Sequence, residues 1–186
     1  RRERAHVRRP RGSASGAVAQ ALVRRHPARV ATLVLAQTGP PRPGRAPLAL
    51  ACAAGFRAAP AALTLALLRL AVLAFLPGRD EGHAFWRAHF AAVVAAQSRA
   101  ALAARFGALA DYDVAYRFAP ADLASWPGRV AIVEAGGDGL LPAAERAALR
   151  ALYPRATVHL LAGGRHADSV TDPRPQLAAI RAALAG

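Results

Sequence analysis

Apolar side chains follow one another almost without interruption in two separate stretches of the chain, RVATLVLAQT at 29–38 and RVAIVEA at 129–135. Runs of this kind, bounded by turn-forming residues, predict strands buried on both faces, the pattern of a parallel sheet. GPPRPGRAP at 39–47 ends the first stretch, and GGDG at 136–139 ends the second. A third short run, TVHLL at 157–161, predicts another strand. The intervening segments have helical spacing: Val18, Ala21 and Leu22 share one face within 17–25, 142–153 opens on a proline as helices commonly do, and 172–184 closes the chain. Strand and helix in alternation predict an α/β fold with a parallel sheet.

The middle of the chain has a different texture. From 47 to 126 the spacing is helical throughout: an Ala/Leu-rich stretch broken at Pro60 and Pro77, a helix over 80–105 with Asp80 and Glu81 at its amino end, and a short piece at 121–126 between Pro120 and Pro127. The expected organisation is therefore a core segment at 1–38, a helical cap at 39–127 and a second core segment at 128–186. The longest apolar run, 61–76, contains Arg69 and is shorter than the roughly 20 residues that span a bilayer, so it reads as a buried helix and no transmembrane segment is expected. The stretch 14–23 is interrupted by Ser15 and Gln20 and is followed by no cleavage pattern, so a cytoplasmic location is expected.

Composition narrows the classes further. The 186 residues are 54% hydrophobic and 19% charged, enough apolar material for a domain core and far from a disordered composition. A single cysteine, Cys52, excludes a disulfide framework and a zinc–thiolate site and reads as a small buried hydrophobe. The formal charge of +14 comes from 25 arginines with no lysine, and asparagine and methionine are absent as well, a bias expected of GC-rich coding. Missing methionine is what a fragment, a processed product or a misframed start would show. The first eleven residues carry +5 of the charge but offer neither aromatics for base stacking nor a helix for a groove. Nucleic acid is therefore not an expected partner, and a small-molecule substrate is.

Chemistry in a parallel sheet collects beyond the carboxyl ends of the strands. Ser13, in the small turn before the first helix, Asp138 after the strand at 129–135 and His166 after the strand at 157–161 all fall at such places. A serine hydroxyl becomes a nucleophile when an imidazole takes its proton, and a carboxylate holds that imidazole in the useful tautomer. Each residue also has a structural reading: Ser13 as a turn residue, Asp138-Gly139 as a turn dipeptide, His166 as a loop histidine paired with Asp168. His83 and His89 accompany Phe85, Trp86 and Phe90 without a metal-binding motif, so these aromatics are expected to pack or to line a pocket. Asp111 and Asp113 read as solvated loop acids. No Gly-rich phosphate cradle is present, and no metal or cofactor is expected.

Taken together, SASGAVAQALVRRHPARVATLVLAQTGPP, GGDGLLP at 136–142 and GGRH at 163–166 resemble the α/β-hydrolase superfamily from its nucleophile turn onward. The resemblance implies a partial α/β-hydrolase fold lacking its N-terminal strands. It implies roles as well: Ser13, thirteen residues before His26, as nucleophile, Asp138 as the acid, His166 as the base, and the Ala14 N–H as an oxyanion donor. It also implies acyl transfer from a small ester, amide or related substrate. Departures from the pattern are specific. Arg11 and Ser15 occupy the two glycine positions around the nucleophile, Arg165 stands where a second glycine is common, AHVRRPRG is no apolar strand, and the family's second oxyanion donor comes from a loop ahead of this region. LYPRATVHLLAGGRH is similar to the maspardin branch, which implies as an alternative a non-catalytic binding scaffold.

Overall fold

The computed structural model describes residues 14–74 and 81–185. In chain order the elements are α1 (Ala14–Arg25), β1 (Thr32–Ala36), α2 (Ala46–Ala58), α3 (Ala61–Ala74), α4 (Glu81–Ala95), α5 (Arg99–Ala115), β2 (Arg129–Ala135), α6 (Ala143–Leu152), β3 (Thr157–Leu161), α7 (Asp168–Thr171) and α8 (Arg174–Ala185), with short 3-10 turns at Pro27–Arg29, Pro43–Arg45 and Pro120–Leu123. The described residues form two compact units, one of 14–41 with 117–185, the other of 42–74 with 81–116. No helix among the described residues is long and apolar enough to cross a membrane.

The first unit is a three-stranded parallel sheet in the order β1-β2-β3. Thr32 to Ala36 lie beside Arg129 to Val133, and Ala131 to Ala135 beside Thr157 to Leu161. β2 is the strand the apolar run at 129–135 demands: Ala131 through Ala135 are all buried, Ile132 and Val133 completely. β1 alternates buried with half-buried positions, while β3 leaves Val158 and Leu160 exposed. Val23 of α1, Leu149 and Leu152 of α6, Leu33 and Leu35 of β1, Ile132 and Trp126 make one continuous apolar core.

Residues 117–127 belong to this sheet unit, although their helical character groups them with the insertion in the sequence. The reason is Trp126. Its indole N–H donates to the Val30 carbonyl at 3.0 Å inside the core, and a Cβ at Gly128 would overlap the ring. Phe118 adds a second anchor, with the Arg24 guanidinium 3.7 Å from its ring centre. One charge interrupts the apolar strand: Glu134, buried on β2, takes two hydrogen bonds from Arg150 of α6 at 2.9 and 2.5 Å.

The second unit is helical. α2 and α5 approach closely because alanines meet there, Ala46 and Ala49 against Ala110, with the Phe56 and Phe106 rings tilted against each other alongside, their centres 5.3 Å apart. The single helix expected over 80–105 is two: the first ends at Ala95, and Ser98 caps the second, its Oγ accepting from the Ala101 N–H at 3.1 Å. α3 is not the buried helix its composition suggests, since Leu63, Leu67 and Leu70 are exposed and Thr64 is its buried residue. Cys52 is half-buried.

Asp113 is the largest correction. It is not a solvated loop acid but a fully buried residue of α5, held by Arg45 through Nε at 2.6 Å and Nη2 at 2.7 Å and by the Arg42 N–H at 2.8 Å. The guanidinium that neutralises it is 68 residues away in the chain, beyond any local pattern. Removing one partner of a buried ion pair strands the other, so Asp113→Ala is expected to cost about 3 kcal/mol of stability. Asp111→Ala, at an exposed position on the same helix, should change it by less than about 0.5 kcal/mol; urea unfolding of the two variants measures the difference.

Candidate active site

Two loops at the carboxyl ends of β2 and β3 are fastened to each other by main-chain hydrogen bonds, Gly136 N–H to Leu161 O at 3.0 Å and Gly137 N–H to Gly164 O at 2.8 Å. Gly163 turns the second loop with φ +67°, a left-handed conformation that glycine adopts freely. These contacts set Asp138 and His166 face to face, 28 residues apart in sequence. His166 Nδ1 lies 2.7 Å from Asp138 Oδ2, with the aspartate side chain 1% and the histidine side chain 23% exposed.

The other carboxylate oxygen, Oδ1, accepts from the Leu140 N–H at 2.8 Å and the Leu141 N–H at 3.1 Å. Burial pushes the Asp138 carboxyl up, but the His166 hydrogen bond and charge, with those two peptide N–H groups, outweigh it and hold the pKa below its ordinary 3.8. An ionised carboxylate can only accept, so a neutral His166 carries its proton on Nδ1 and its lone pair on Nε2. That tautomer is the one a general base needs. Asp168 is not the partner of His166: its Oδ2 accepts from the Arg165 N–H at 2.7 Å and so shapes the loop instead.

α1 arrives at the same edge of the sheet. A Cβ at Gly16, in its first turn, would overlap the buried side chain of Thr38, two residues past the end of β1. Ala14 is the first residue of α1, and Ser13 lies outside the described residues. The structure thus brings Asp138 and His166 together and seats the first turn of α1 against Thr38 at the same edge of the sheet. Phe85, Trp86 and Phe90 form an aromatic cluster with His89 on α4 in the helical unit, with ring centres 5.1 to 6.1 Å apart and Phe85 62% exposed. Among the described residues no group of three or more His, Cys, Asp or Glu could hold a metal ion.

A cavity of about 350 Å³ lined by Leu123, Trp126, Val130 and Tyr153 opens at the amino end of β2, away from Asp138. The residue that the sequence reading passed over is Gln37, buried immediately after β1, whose amide Nε2 donates to the Arg165 carbonyl at 3.0 Å. Its signal was available: an amide at the carboxyl end of an apolar strand stands where reactive groups collect.

Solved structures share the fold. A thermophilic esterase from Thermogutta terrifontis superposes with a TM-score of 0.74 at 19% identity, over 93% of this chain and 63% of its own. The enol-lactonase from Burkholderia xenovorans LB400 gives 0.74 at 17% identity over 94% and 64%, and MGS-M2, an alpha/beta hydrolase enzyme from a Medee basin deep-sea metagenome library, 0.71 at 14% over 94% and 63%. The chain has a partial α/β-hydrolase fold. It spans less than two thirds of the length of each of these structures. Neither a protein-family model nor a curated protein sequence matches it.

Within this hydrolase fold the depressed Asp138 carboxyl ties stability to pH in one direction. The folded state resists protonating Asp138 more than the unfolded state does, so its contribution is full above about pH 4 and is lost as pH falls through the lower folded-state value. The stability difference between wild type and Asp138→Asn should therefore shrink as pH falls from about 5 to about 2. Urea unfolding at a series of pH values measures it, and a constant difference would contradict the ionised, buried carboxylate.

Proposed function

We propose that the chain is part of a serine hydrolase acting on a small ester, amide or related substrate, with Ser13 as nucleophile, His166 as general base and then acid, and Asp138 as the group that orients it. The observation that carries the reading is the 2.7 Å contact between His166 Nδ1 and a buried, peptide-anchored Asp138 at the strand ends. Order along the chain adds support, since serine, acid and histidine follow the sequence usual for this fold. Ser13 directly precedes α1, where Ala14 supplies an N–H with no partner within the helix, suited to a developing oxyanion.

The chemistry then runs in two balanced halves. Ser13 Oγ bonds the acyl carbon as its proton passes to His166 Nε2, and the carbonyl electrons move onto the oxygen facing the Ala14 N–H. Collapse of that intermediate expels the alcohol or amine, which takes the proton from Nε2, leaving an acyl ester on Ser13. Water repeats the sequence, giving its proton to Nε2 and releasing the acid as Ser13 recovers its own. Asp138 stays ionised throughout and stabilises the imidazolium. In this reading the helical unit is the cap, with Phe85, Trp86 and Phe90 lining its pocket.

A second reading has its own observation. Arg165 stands where a second glycine is common before the histidine, and Arg11 and Ser15 replace the glycines that relieve crowding around the nucleophile. Those departures, together with LYPRATVHLLAGGRH at 152–166, favour a non-catalytic binding scaffold of the maspardin kind. A fluorophosphonate probe separates the two: an activated serine displaces fluoride and keeps the phosphonyl group. The hydrolase reading expects the adduct on the peptide containing Ser13, lost in Ser13→Ala and in His166→Ala. No adduct on a folded chain, or one unchanged in Ser13→Ala, overturns it in favour of the scaffold.

A further inference from the structure

We infer that Gln37 is a positioning residue for the acid–base pair, fixing from β1 the peptide that carries His166; the inference rests on the catalytic reading of that pair. Three observations converge on it. Gln37 has φ +47°, in the left-handed region that residues other than glycine seldom occupy, and such conformations persist where surrounding contacts require them. It is buried to 3% exposure, so its amide has left water and needs partners in the protein. Both of its donors reach neighbouring strands or their loops. The main-chain N–H extends the ladder to Val133 O at 2.9 Å, and the side-chain Nε2 reaches Arg165 O at 3.0 Å.

The Arg165 carbonyl belongs to the peptide that joins Arg165 to His166, so a donor held there restrains where the imidazole begins. Asp168 restrains the same residue from within the loop, its N–H donating to Arg165 O at 3.2 Å and its Oδ2 accepting from Arg165 N–H at 2.7 Å. Those bonds give the loop its shape without attaching it to the sheet. Gly137 N–H to Gly164 O attaches it to the acid loop on β2, and Gln37 attaches it to β1. The left-handed turn at Gln37 ends β1 and at the same residue hands its side chain to the histidine loop. A residue chosen for packing alone would not need an amide there, and a residue chosen for the turn alone would be glycine.

Two substitutions separate these roles. Gln37→Gly keeps the backbone conformation at no steric cost and removes the amide; Gln37→Glu keeps the shape but presents an acceptor to a carbonyl. The readout is the low-field proton resonance of an imidazole Nδ1–H donated to a carboxylate, assigned to His166 by its loss in His166→Ala and Asp138→Asn. Exchange of that proton with water should accelerate on the order of tenfold in both Gln37 variants, the equivalent of one hydrogen bond, with far-UV circular dichroism unchanged. An unchanged exchange rate in Gln37→Glu, or in a folded Gln37→Gly, overturns the inference and leaves the acid–base pair standing. Absence of the resonance in wild type overturns both. A resonance that responds to Gln37 in a chain without ester turnover upholds the positioning and removes the hydrolase reading.

Discussion

A strand buried on both faces must place its main-chain polar groups in ladders on both sides, and β2 meets that condition between β1 and β3. Because both pairings are parallel, the carboxyl ends of all three strands fall on one edge of the sheet. Everything chemically distinctive follows from that edge: Asp138 beyond β2, His166 beyond β3, Gln37 and Thr38 beyond β1, and the first turn of α1 seated against Thr38. The apolar run at 129–135 is thus the physical origin of the site as well as of the core.

Three buried carboxylates show how differently one cost can be met. Glu134 and Asp113 are each closed by an arginine in two-pronged contact, a partner that keeps its proton and therefore fixes structure. Asp138 has no guanidinium. Two peptide N–H groups hold one oxygen, and an imidazole takes the other. Histidine is the side chain whose charge changes near neutrality, so among these three carboxylates Asp138 is the one whose partner can move a proton. This contrast, more than burial itself, separates a site from a scaffold.

The strands at 129–135 and 157–161 and the helices around them were legible because they rest on local apolar spacing, which the sheet and core preserve. Asp138 and His166 were legible because each sits in a glycine-bearing turn just past a strand. Asp113 and Trp126 were not, because what defines each is a partner far along the chain: Arg45 and the Val30 carbonyl. The break between α4 and α5 was missed for the opposite reason, since Ser98 marks it with a purely local cap that apolar spacing does not register.

That Asp138 acts through His166 is the claim on which the functional account turns, and a double-mutant cycle on hydrolysis of a simple activated ester tests it most directly. Rates for wild type, Asp138→Asn, His166→Ala and the double variant are compared. If the two residues form one unit, the double variant is no slower than His166→Ala alone. Losses that multiply, or hydrolysis indifferent to either substitution, would contradict it.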